Sequence, residues 1–229
     1  DKFYTIIAHD LRSPINSLND MGVLLHHLIQ EGKKQELDKV IQQMESMRQK
    51  TQLLLNNLFE WGKSQYFTPD VEEAGQPTDV VPLLQELYQT YLPFAQAKKI
   101  AMAAELPPRS VVSVTPGGLL MTVRNLLDNA LKNTPVGRKI MIEMSESAAD
   151  SPAKSLSTLT ITDTGNGIAP DQLHYLQEVF AGKLKPEVGV HGLGLGMVLI
   201  HHFVQKNKAV LTVESEVGKG TCFKLMLEA

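Results

Sequence analysis

The chain has 229 residues, of which 43% are hydrophobic and 21% charged, and its formal net charge is −3. This composition is ordinary for globular protein, and the length suits one large domain or two small ones. The small negative charge leaves no basic footprint for nucleic acid or for an anionic membrane surface, so we expect neither as a partner. The single cysteine, Cys222, excludes an internal disulfide framework and fits a reducing compartment.

The sequence has no run that approaches the roughly 18 uninterrupted apolar residues of a membrane-spanning helix. It begins without Met, inside the helical pattern DKFYTIIAHDLRSP, which indicates a segment of a longer protein. The lack of a membrane segment therefore says nothing about the parent protein.

The first 66 residues carry a helical pattern that differs from the rest of the chain. Two stretches with apolar residues at spacings of three and four are separated by a short polar break at 30–34, which predicts two antiparallel helices. Their apolar face is wider than one hairpin can bury, so we predict a homodimer in which two hairpins form a four-helix bundle. The stripe comprises Ile7, Leu11, Leu18, Leu25 and Leu28, then Leu37, Val40, Met44, Met47, Thr51, Leu54, Leu58 and Trp61.

Residues 67–82 are rich in Pro, Gly, Asp and Glu, and we interpret them as a linker with room for an edge strand. From 83 to 229, helical and strand patterns mix without a βαβ rhythm. This predicts an α+β fold, an α/β sandwich with helices on one face of a mixed sheet. The predicted helices cover 80–98, 115–134 and 192–207, and the predicted strands cover 100–106, 111–114, 139–145, 156–162, 210–215 and 221–227.

The segment HDLRSP, residues 9–14, places a histidine and an aspartate one helical turn before a proline. Pro14 cannot donate to the carbonyl of Asp10, and its ring bends the helix there. A helix loosened beside His9 and Asp10 favours an exposed reactive histidine, although a tolerated kink in a long helix gives the same pattern.

The segment NLLDNALKNT, residues 125–134, puts Asn125, Asn129 and Lys132 on one helical face. Two amides and an ammonium group suit a phosphate chain with a hard cation, since Mg²⁺ prefers oxygen ligands. A solvated polar face is the alternative interpretation.

Three glycine-containing segments follow. In DTGNGI, residues 163–168, glycines after a strand let the backbone approach a flat ligand while Asp163 accepts from an exocyclic amine. HGLGLGM, residues 191–197, precedes an apolar helix whose N-terminus favours an anion. GKGTCF, residues 218–223, leads into the last strand. Each segment alone is also an ordinary turn or loop.

In this order and at these separations, the five segments resemble the H, N, G1, G2 and G3 boxes of sensor histidine kinases, and Phe180 resembles a reduced F box. The resemblance covers essentially the whole chain. It implies a dimerisation and phosphoacceptor hairpin at 1–66, a linker at 67–82 and a Bergerat-type ATP-binding domain at 83–229.

The resemblance implies a protein-histidine kinase that phosphorylates itself from ATP with Mg²⁺. It would then pass the phosphoryl group to an aspartate in the receiver domain of a response regulator, with phosphatase activity toward that partner as a further expectation. The chain would be the cytoplasmic portion of a parent anchored in the bacterial inner membrane, with no membrane contact of its own.

The resemblance also implies catalytic roles for individual residues. His9 would accept the phosphoryl group, Asp10 would act as its general base, and Ser13 would bear on phosphatase activity. Asn125 and Lys132 would lie beside the phosphates.

The nucleotide site follows from the same resemblance. Asn129 would be the Mg²⁺ ligand, and Asp163 would hold the adenine amino group. The other pocket residues would be Gly165, Gly167 and Thr221, and the lid hinges would be Gly192, Gly194 and Gly196.

Three positions depart from the family pattern. Asn133 stands where the family usually has an aromatic residue, and Ser13 stands where many members have Thr. The lid at 169–191 is short, and its Lys183 and Lys185 either contact phosphates or are simply solvated.

Two other functions are consistent with part of the pattern. One is a regulatory scaffold that binds nucleotide without transferring phosphate, or acts mainly as a phosphatase. The other is an ATPase of the gyrase or mismatch-repair type, but those proteins lack the HDLRSP hairpin.

Overall fold

The computed structural model describes residues 76–147, 156–187, 190 and 194–228, together with a discontinuous set between 21 and 51. The chain forms two compact units, Asp1–Pro69 and Asp70–Ala229. In the first unit, the described residues among 21–30 and 36–51 are helical, and Leu28 and Val40 are buried. His9, Asp10 and Ser13 lie outside the described residues, as do the other predicted hairpin positions before 21 and after 51.

The described part of the second unit contains four helices and seven strands in the order β1-α1-β2-β3-α2-β4-β5-α3-α4-β6-β7. The helices are α1 Val81–Ala97, α2 Pro116–Asn133, α3 Pro170–Phe180 and α4 Leu195–Lys206. The strands are β1 Pro77–Asp79, β2 Ala101–Glu105, β3 Val111–Ser113, β4 Lys139–Ser147, β5 Leu156–Asp163, β6 Val210–Glu216 and β7 Gly220–Glu228.

Five strands form one mixed sheet in the order β2-β4-β5-β7-β6, and β1 pairs with β3 in a small antiparallel sheet. Within the large sheet β2 runs parallel to β4, and the remaining pairs are antiparallel. The predicted α+β class with a mixed sheet is therefore confirmed. The register of β5 and β7 places Asp163 opposite Thr221, which brings two of the predicted site residues together.

The core lies against one face of this sheet. Residues of β5 and β7 alternate between buried and partly exposed, so that Leu159, Ile161 and Leu225 point into the core. Burying each such side chain stabilises the fold by about 1.5–3 kcal/mol. Helices α1 and α2 supply the facing layer through Leu84, Leu87, Leu119, Leu126 and Leu127.

The predicted linker 67–82, with room for an edge strand, stays a prediction, because residues 67–75 lie outside the described residues. Strand β1 and the start of α1 occupy part of the predicted linker 67–82, because Val80 and Val81 are buried in the core. One carboxylate oxygen of Asp79 accepts hydrogen bonds from the backbone nitrogens of Val81 and Ser110, each at 3.2 Å. Strand β1, which pairs with β3, occupies the place left for an edge strand, and the helix predicted over 80–98 is α1.

The predicted lid at 169–191 contains a helix, α3, that the sequence analysis did not assign. Its sequence has Pro at the first position, which suits a helix start, and Leu176, Val179 and Phe180 on its buried face. Residues 181–194 connect α3 to α4, and the role of 169–191 as a lid stays a prediction.

Gly218, in the turn after β6, and Gly220, the first residue of β7, allow a test of how closely β7 approaches the end of β5. A Cβ on Gly220, whose φ is +126°, would overlap the backbone of Asp163, whereas one on Gly218, at φ +81°, would meet no atom within 4 Å. We expect Gly218→Ala to lower the free energy of unfolding by about 1–2 kcal/mol through backbone strain alone. Gly220→Ala should cost about 3 kcal/mol or more, because overpacking adds to the strain. Urea denaturation of both variants measures the difference, and equal losses would contradict the close approach.

Candidate functional site

A cavity of about 230 Å³ opens where α2, α3 and α4 meet the ends of β5 and β7. Polar side chains line one part of it and apolar side chains another. The lining residues are Asn129, Lys132, Asn133, Asp163, Gly167, Ile168, Gln172, Leu176, Gly194, Gly196, Met197, Thr221 and Phe223.

Asp163 ends β5 and is 7% exposed. Burial raises the pKa of its carboxyl above the ordinary value, while backbone hydrogen bonds from Gly165 and Thr221 act in the opposite direction. The bond from the Gly165 nitrogen to Asp163 Oδ1 measures 2.8 Å. A dehydrated carboxylate at a cavity wall can accept a hydrogen bond from an N–H group of a ligand.

The loop after Asp163 is pressed between two other segments. A Cβ on Gly165 would lie 2.5 Å from the carbonyl oxygen of Asn133, and a Cβ on Gly167 would overlap the backbone carbonyl of Glu216. The Asn166 nitrogen donates to the Asn133 carbonyl at 3.1 Å, and the Asn166 carbonyl accepts from Gly218 at 2.8 Å. The chain can pass here only because positions 165 and 167 lack side chains.

Ser215 joins this loop to the sheet and was not singled out from the sequence. Its Oγ accepts from the Ile168 nitrogen at 2.9 Å, donates to the Gly220 carbonyl at 2.8 Å and lies 3.0 Å from Thr221 Oγ1. The hydroxyl thereby fixes the backbone on both sides of the Asp163 carboxyl. Only the pairing of β6 with β7, which sets Ser215 opposite Thr221, reveals this role.

The other end of the cavity has the properties of an anion site. Asn129 and Lys132 project from the last turns of α2, and Gly194 is the N-cap residue of α4. The first backbone N–H groups of a helix have no partner within the helix, and the helix dipole favours negative charge there. An amide, an ammonium group and a helix N-terminus suit a phosphate chain.

The side chains at this end of the cavity fit Mg²⁺ only if phosphate oxygens supply further ligands. The described residues contain no group of three or more His, Cys, Asp or Glu side chains that could hold a metal ion. Mg²⁺ commonly takes few protein ligands and completes its shell with substrate phosphates and water. The amide oxygen of Asn129 fits that mode of binding.

The structure gathers most of the predicted nucleotide residues around one cavity. Asn125 and Gly165 are not among the lining residues, and Gly192 lies outside the described residues. The residues that line it as expected are Asn129, Lys132, Asp163, Gly167, Gly194, Gly196 and Thr221.

Asn125 is not among the lining residues of this cavity and is 7% exposed. Its Nδ2 donates to the Met121 carbonyl at 2.8 Å, and its Oδ1 lies against Gly196 of α4. A side chain at Gly196 would displace this amide. Asn125 therefore contributes to the packing of α2 against α4, and its predicted position beside phosphates stays a prediction.

Helix α3 supplies cavity residues that the sequence analysis missed. Gln172 and Leu176 are four positions apart and so share a helical face. The spacing of Leu176, Val179 and Phe180 after Pro170 was the available signal. After α3, the exposed Lys183 forms an ion pair with Glu178 at 2.9 Å.

A mixed sheet, a buried carboxyl beside a glycine loop and a helix N-terminus define the class of this unit as a nucleotide-binding ATPase domain. Residues 115–229 match the family described as histidine kinase-, DNA gyrase B-, and HSP90-like ATPase. The chain belongs to this family.

Relatives extend the match over nearly the whole chain. The adaptive-response sensory kinase SasA of Synechococcus sp. (strain JA-3-3Ab) is 27% identical over 235 residues, covering 99% of this chain and 59% of SasA. The sensor histidine kinase RppB of Synechocystis sp. (strain ATCC 27184 / PCC 6803 / Kazusa) is 27% identical, covering 99% of this chain and 48% of RppB. The chain thus spans about half the length of these relatives, and the resemblance to sensor histidine kinases is confirmed.

Solved structures share the fold. The Acinetobacter baumannii histidine kinase AdeS superposes with a TM-score of 0.61 at 17% identity, covering 96% of this chain and 97% of AdeS. Full-length ShkA in complex with AMPPNP gives a TM-score of 0.61 at 23% identity, covering 97% of this chain and 44% of ShkA. Among the described residues, no helix has the length and apolar character needed to cross a membrane.

Proposed function

We propose that this chain is the catalytic part of a protein-histidine kinase in two-component signalling. It would use ATP with Mg²⁺ to phosphorylate its own His9, and the phosphoryl group would pass to an aspartate of a response regulator. The observation that carries the proposal is the single cavity that combines a buried carboxyl, Asp163, with the amide and ammonium groups of Asn129 and Lys132. The family match and the sensor kinase relatives support it.

Asp163 would select adenine. Its carboxylate accepts a hydrogen bond from the exocyclic amine of adenine but would oppose the carbonyl of guanine, leaving two acceptors face to face. The apolar wall formed by Ile168, Leu176 and Met197 suits the faces of a flat base. Gly167 and Thr221 would complete the pocket around the base.

Asn129, Lys132 and the N-terminus of α4 would receive the phosphate chain. Mg²⁺, when bound with the nucleotide, would neutralise charge on the phosphates during transfer. The protein's own contribution is positioning, because phosphoryl transfer depends mainly on alignment and electrostatic stabilisation. Gly192 and Gly194 would let the lid adjust over the phosphates, whereas Gly196, the third residue predicted as a hinge, lies within α4 and packs against Asn125.

The N-terminal unit would present the acceptor. Residues 1–66 would form an antiparallel hairpin that pairs with a second copy in a four-helix bundle, and the burial of Leu28 and Val40 supports an apolar seam. A ring nitrogen of His9 would attack the γ-phosphorus as the bond to the bridging oxygen of ADP breaks. Asp10 would orient the imidazole and take the proton from the other ring nitrogen.

The setting of the reaction follows from the relatives. The chain spans 59% of SasA and 48% of RppB, so the parent would carry a further sensory region. We propose that this segment is the cytoplasmic portion of a parent anchored in the inner membrane. Its macromolecular partner would be the receiver domain of a response regulator.

Incubation with γ-labelled ATP and Mg²⁺ tests the proposed acceptor. We expect label on the protein that is lost in acid and retained in base, as a phosphoramidate on His9 requires. His9→Ala should abolish the label, while His174→Ala, at an exposed position on α3, should leave it intact. Acid-stable label, or label that persists in His9→Ala, would overturn the assignment.

The pKa of Asp163 predicts how binding of the base depends on pH. Because burial raises this pKa, the carboxyl becomes protonated at a higher pH than an ordinary aspartate, whose pKa is about 3.9. A donor N–H of the ligand favours the ionised form, so affinity should fall as pH drops through the raised pKa, by up to about tenfold per pH unit. Titration with adenosine, which carries no phosphate, measures this.

Asp163→Asn provides the control for that titration. It should bind adenosine weakly and without pH dependence over the same range, since the amide does not titrate. A wild-type affinity that stays constant down to the range of an ordinary aspartate would contradict the raised pKa, and an Asp163→Asn variant that binds adenosine as tightly as wild type would refute the role of Asp163.

Asp10 and Ser13 should divide the two activities. General-base assistance is worth about 10²–10⁴ in rate, so Asp10→Asn should slow autophosphorylation at least about tenfold with ATP affinity unchanged. Ser13 is four residues from His9 in the sequence, a spacing that would place both on one face of the predicted helix, and it would position water for dephosphorylation of the regulator. Ser13→Ala should therefore slow dephosphorylation and spare autophosphorylation. Loss of autophosphorylation in Ser13→Ala would show that this division is wrong.

A further inference from the structure

Helix α1 makes two polar contacts with α2 near the end that carries Asn129 and Lys132. Neither contact belongs to the cavity, and both donors lie before residue 115, where the family match begins. They connect α1 and its C-cap residue to the turn of α2 that carries Asn129 and Lys132.

The first contact is between Tyr91 and Asp128. Tyr91 lies on the buried face of α1 and is 9% exposed. Its hydroxyl donates to Asp128 Oδ1 at 2.9 Å and lies 3.5 Å from the Arg124 carbonyl oxygen. The other carboxylate oxygen of Asp128 is buried and has no hydrogen-bond partner among the described residues. In the described part of the chain, Tyr91 is therefore the hydrogen-bond donor on which this carboxyl depends.

The second contact lies one turn further along α2. Lys98 follows the C-terminus of α1, and its Nζ donates to the Leu131 carbonyl oxygen at 2.8 Å. The last four carbonyls of a helix have no partner within the helix, and a cation is favoured there by the helix dipole. The ammonium group thus satisfies one free carbonyl at the C-terminal end of α2.

The two contacts bracket Asn129 and directly precede Lys132. Asp128 and Leu131 are three residues apart and lie on one turn of α2. Their contacts with Tyr91 and Lys98 therefore fix this turn on the side that faces α1. Asn129 and Lys132 project from that same turn into the cavity. A rotation or slide of the turn would move both side chains together.

We propose that Tyr91 and Lys98 are positioning residues that hold the last turn of α2 in register for binding of the Mg²⁺-loaded phosphate chain. This inference rests on the proposed function. Small misplacements of aligned groups are costly in phosphoryl transfer, because the reaction depends on positioning. The base end of the cavity is fixed separately, by Ser215 and the glycine loop, so the two ends should respond differently to loss of these contacts.

The experiment compares two affinities of the 229-residue chain. Calorimetry gives the dissociation constant of a non-hydrolysable ATP analogue with and without Mg²⁺, and ligand-observed NMR gives that of adenosine. Tyr91→Phe should weaken binding of the Mg²⁺-loaded analogue about tenfold, corresponding to about 1.4 kcal/mol. Lys98→Met should weaken it by a smaller factor, about threefold, because exposed charged contacts contribute less. Adenosine affinity should stay within about twofold of wild type in both variants.

Matched controls lie on the same helix and beside it. The Tyr88 hydroxyl donates to the Met102 carbonyl at 3.4 Å rather than to α2, so Tyr88→Phe removes a similar group without touching the turn. Lys99→Met removes the neighbouring ammonium group. Neither control should change the effect of Mg²⁺ on affinity.

A double-mutant cycle separates positioning from simple stability. Asp128→Ala should weaken Mg²⁺-dependent binding as much as Tyr91→Phe, and the double variant should be no worse than either, since all remove one contact. Loss of folding stability with unchanged affinities would overturn the inference and leave the proposed function intact. Equal weakening of adenosine would also overturn it. Failure of the wild type to bind the analogue would instead refute the proposed function.

Discussion

The burial of the Asp163 carboxyl is the constraint on which the rest of the site depends. Removing a carboxylate from water costs free energy, and burial raises the pKa of Asp163. Among the described residues, no cationic side chain forms a hydrogen bond with this carboxyl. Backbone N–H groups of Gly165 and Thr221 offset part of this cost. They can do so only because the loop and the start of β7 come within contact of β5, which excludes side chains at Gly165 and Gly220. Gly165 and Gly220 are therefore required for the backbone to reach and stabilise the buried carboxyl of Asp163.

This constraint explains why the two ends of the cavity are built differently. The end that holds Asp163 is attached to the middle of the sheet, where β5 is paired on both sides, with β4 and β7. The opposite end is made from helix termini, the last turns of α2 and the first turn of α4. Paired strands resist displacement because many hydrogen bonds must break at once, whereas helix ends can shift as units. Such an arrangement suits rigid recognition of a base with adjustable contacts to a phosphate chain.

Seven residues that the sequence analysis singles out line the candidate cavity, whereas the helix α3 beside them was not predicted. Strands with alternating burial, such as β5 and β7, were placed within one or two residues, because a period of two is a strong signal. Helix α3 was missed because its segment was interpreted through the family lid, and its amphipathic spacing went unused. Spacing alone put Asn125 on the face of Asn129, yet the structure buries Asn125 against Gly196. Helix α4, which is distant in the sequence, covers part of the polar face of α2. The local sequence pattern of α2 cannot predict which part is covered.

The folded unit and the family match do not have the same limits. The match starts at residue 115, but the core that supports α2 is completed by Leu84 and Leu87 of α1 and by Val80 before it. Full burial of side chains of this size contributes about 1.5–3 kcal/mol each, comparable with a sizeable fraction of a domain's total stability. The polar contacts of Tyr91, in this helix, and of Lys98, its C-cap residue, come from the same part of the chain. Residues 70–80, which include β1, separate α1 from the first unit, and α1 packs against the core of the second unit. Strand β1 and helix α1 therefore belong physically to the second unit, even though the family match begins after them.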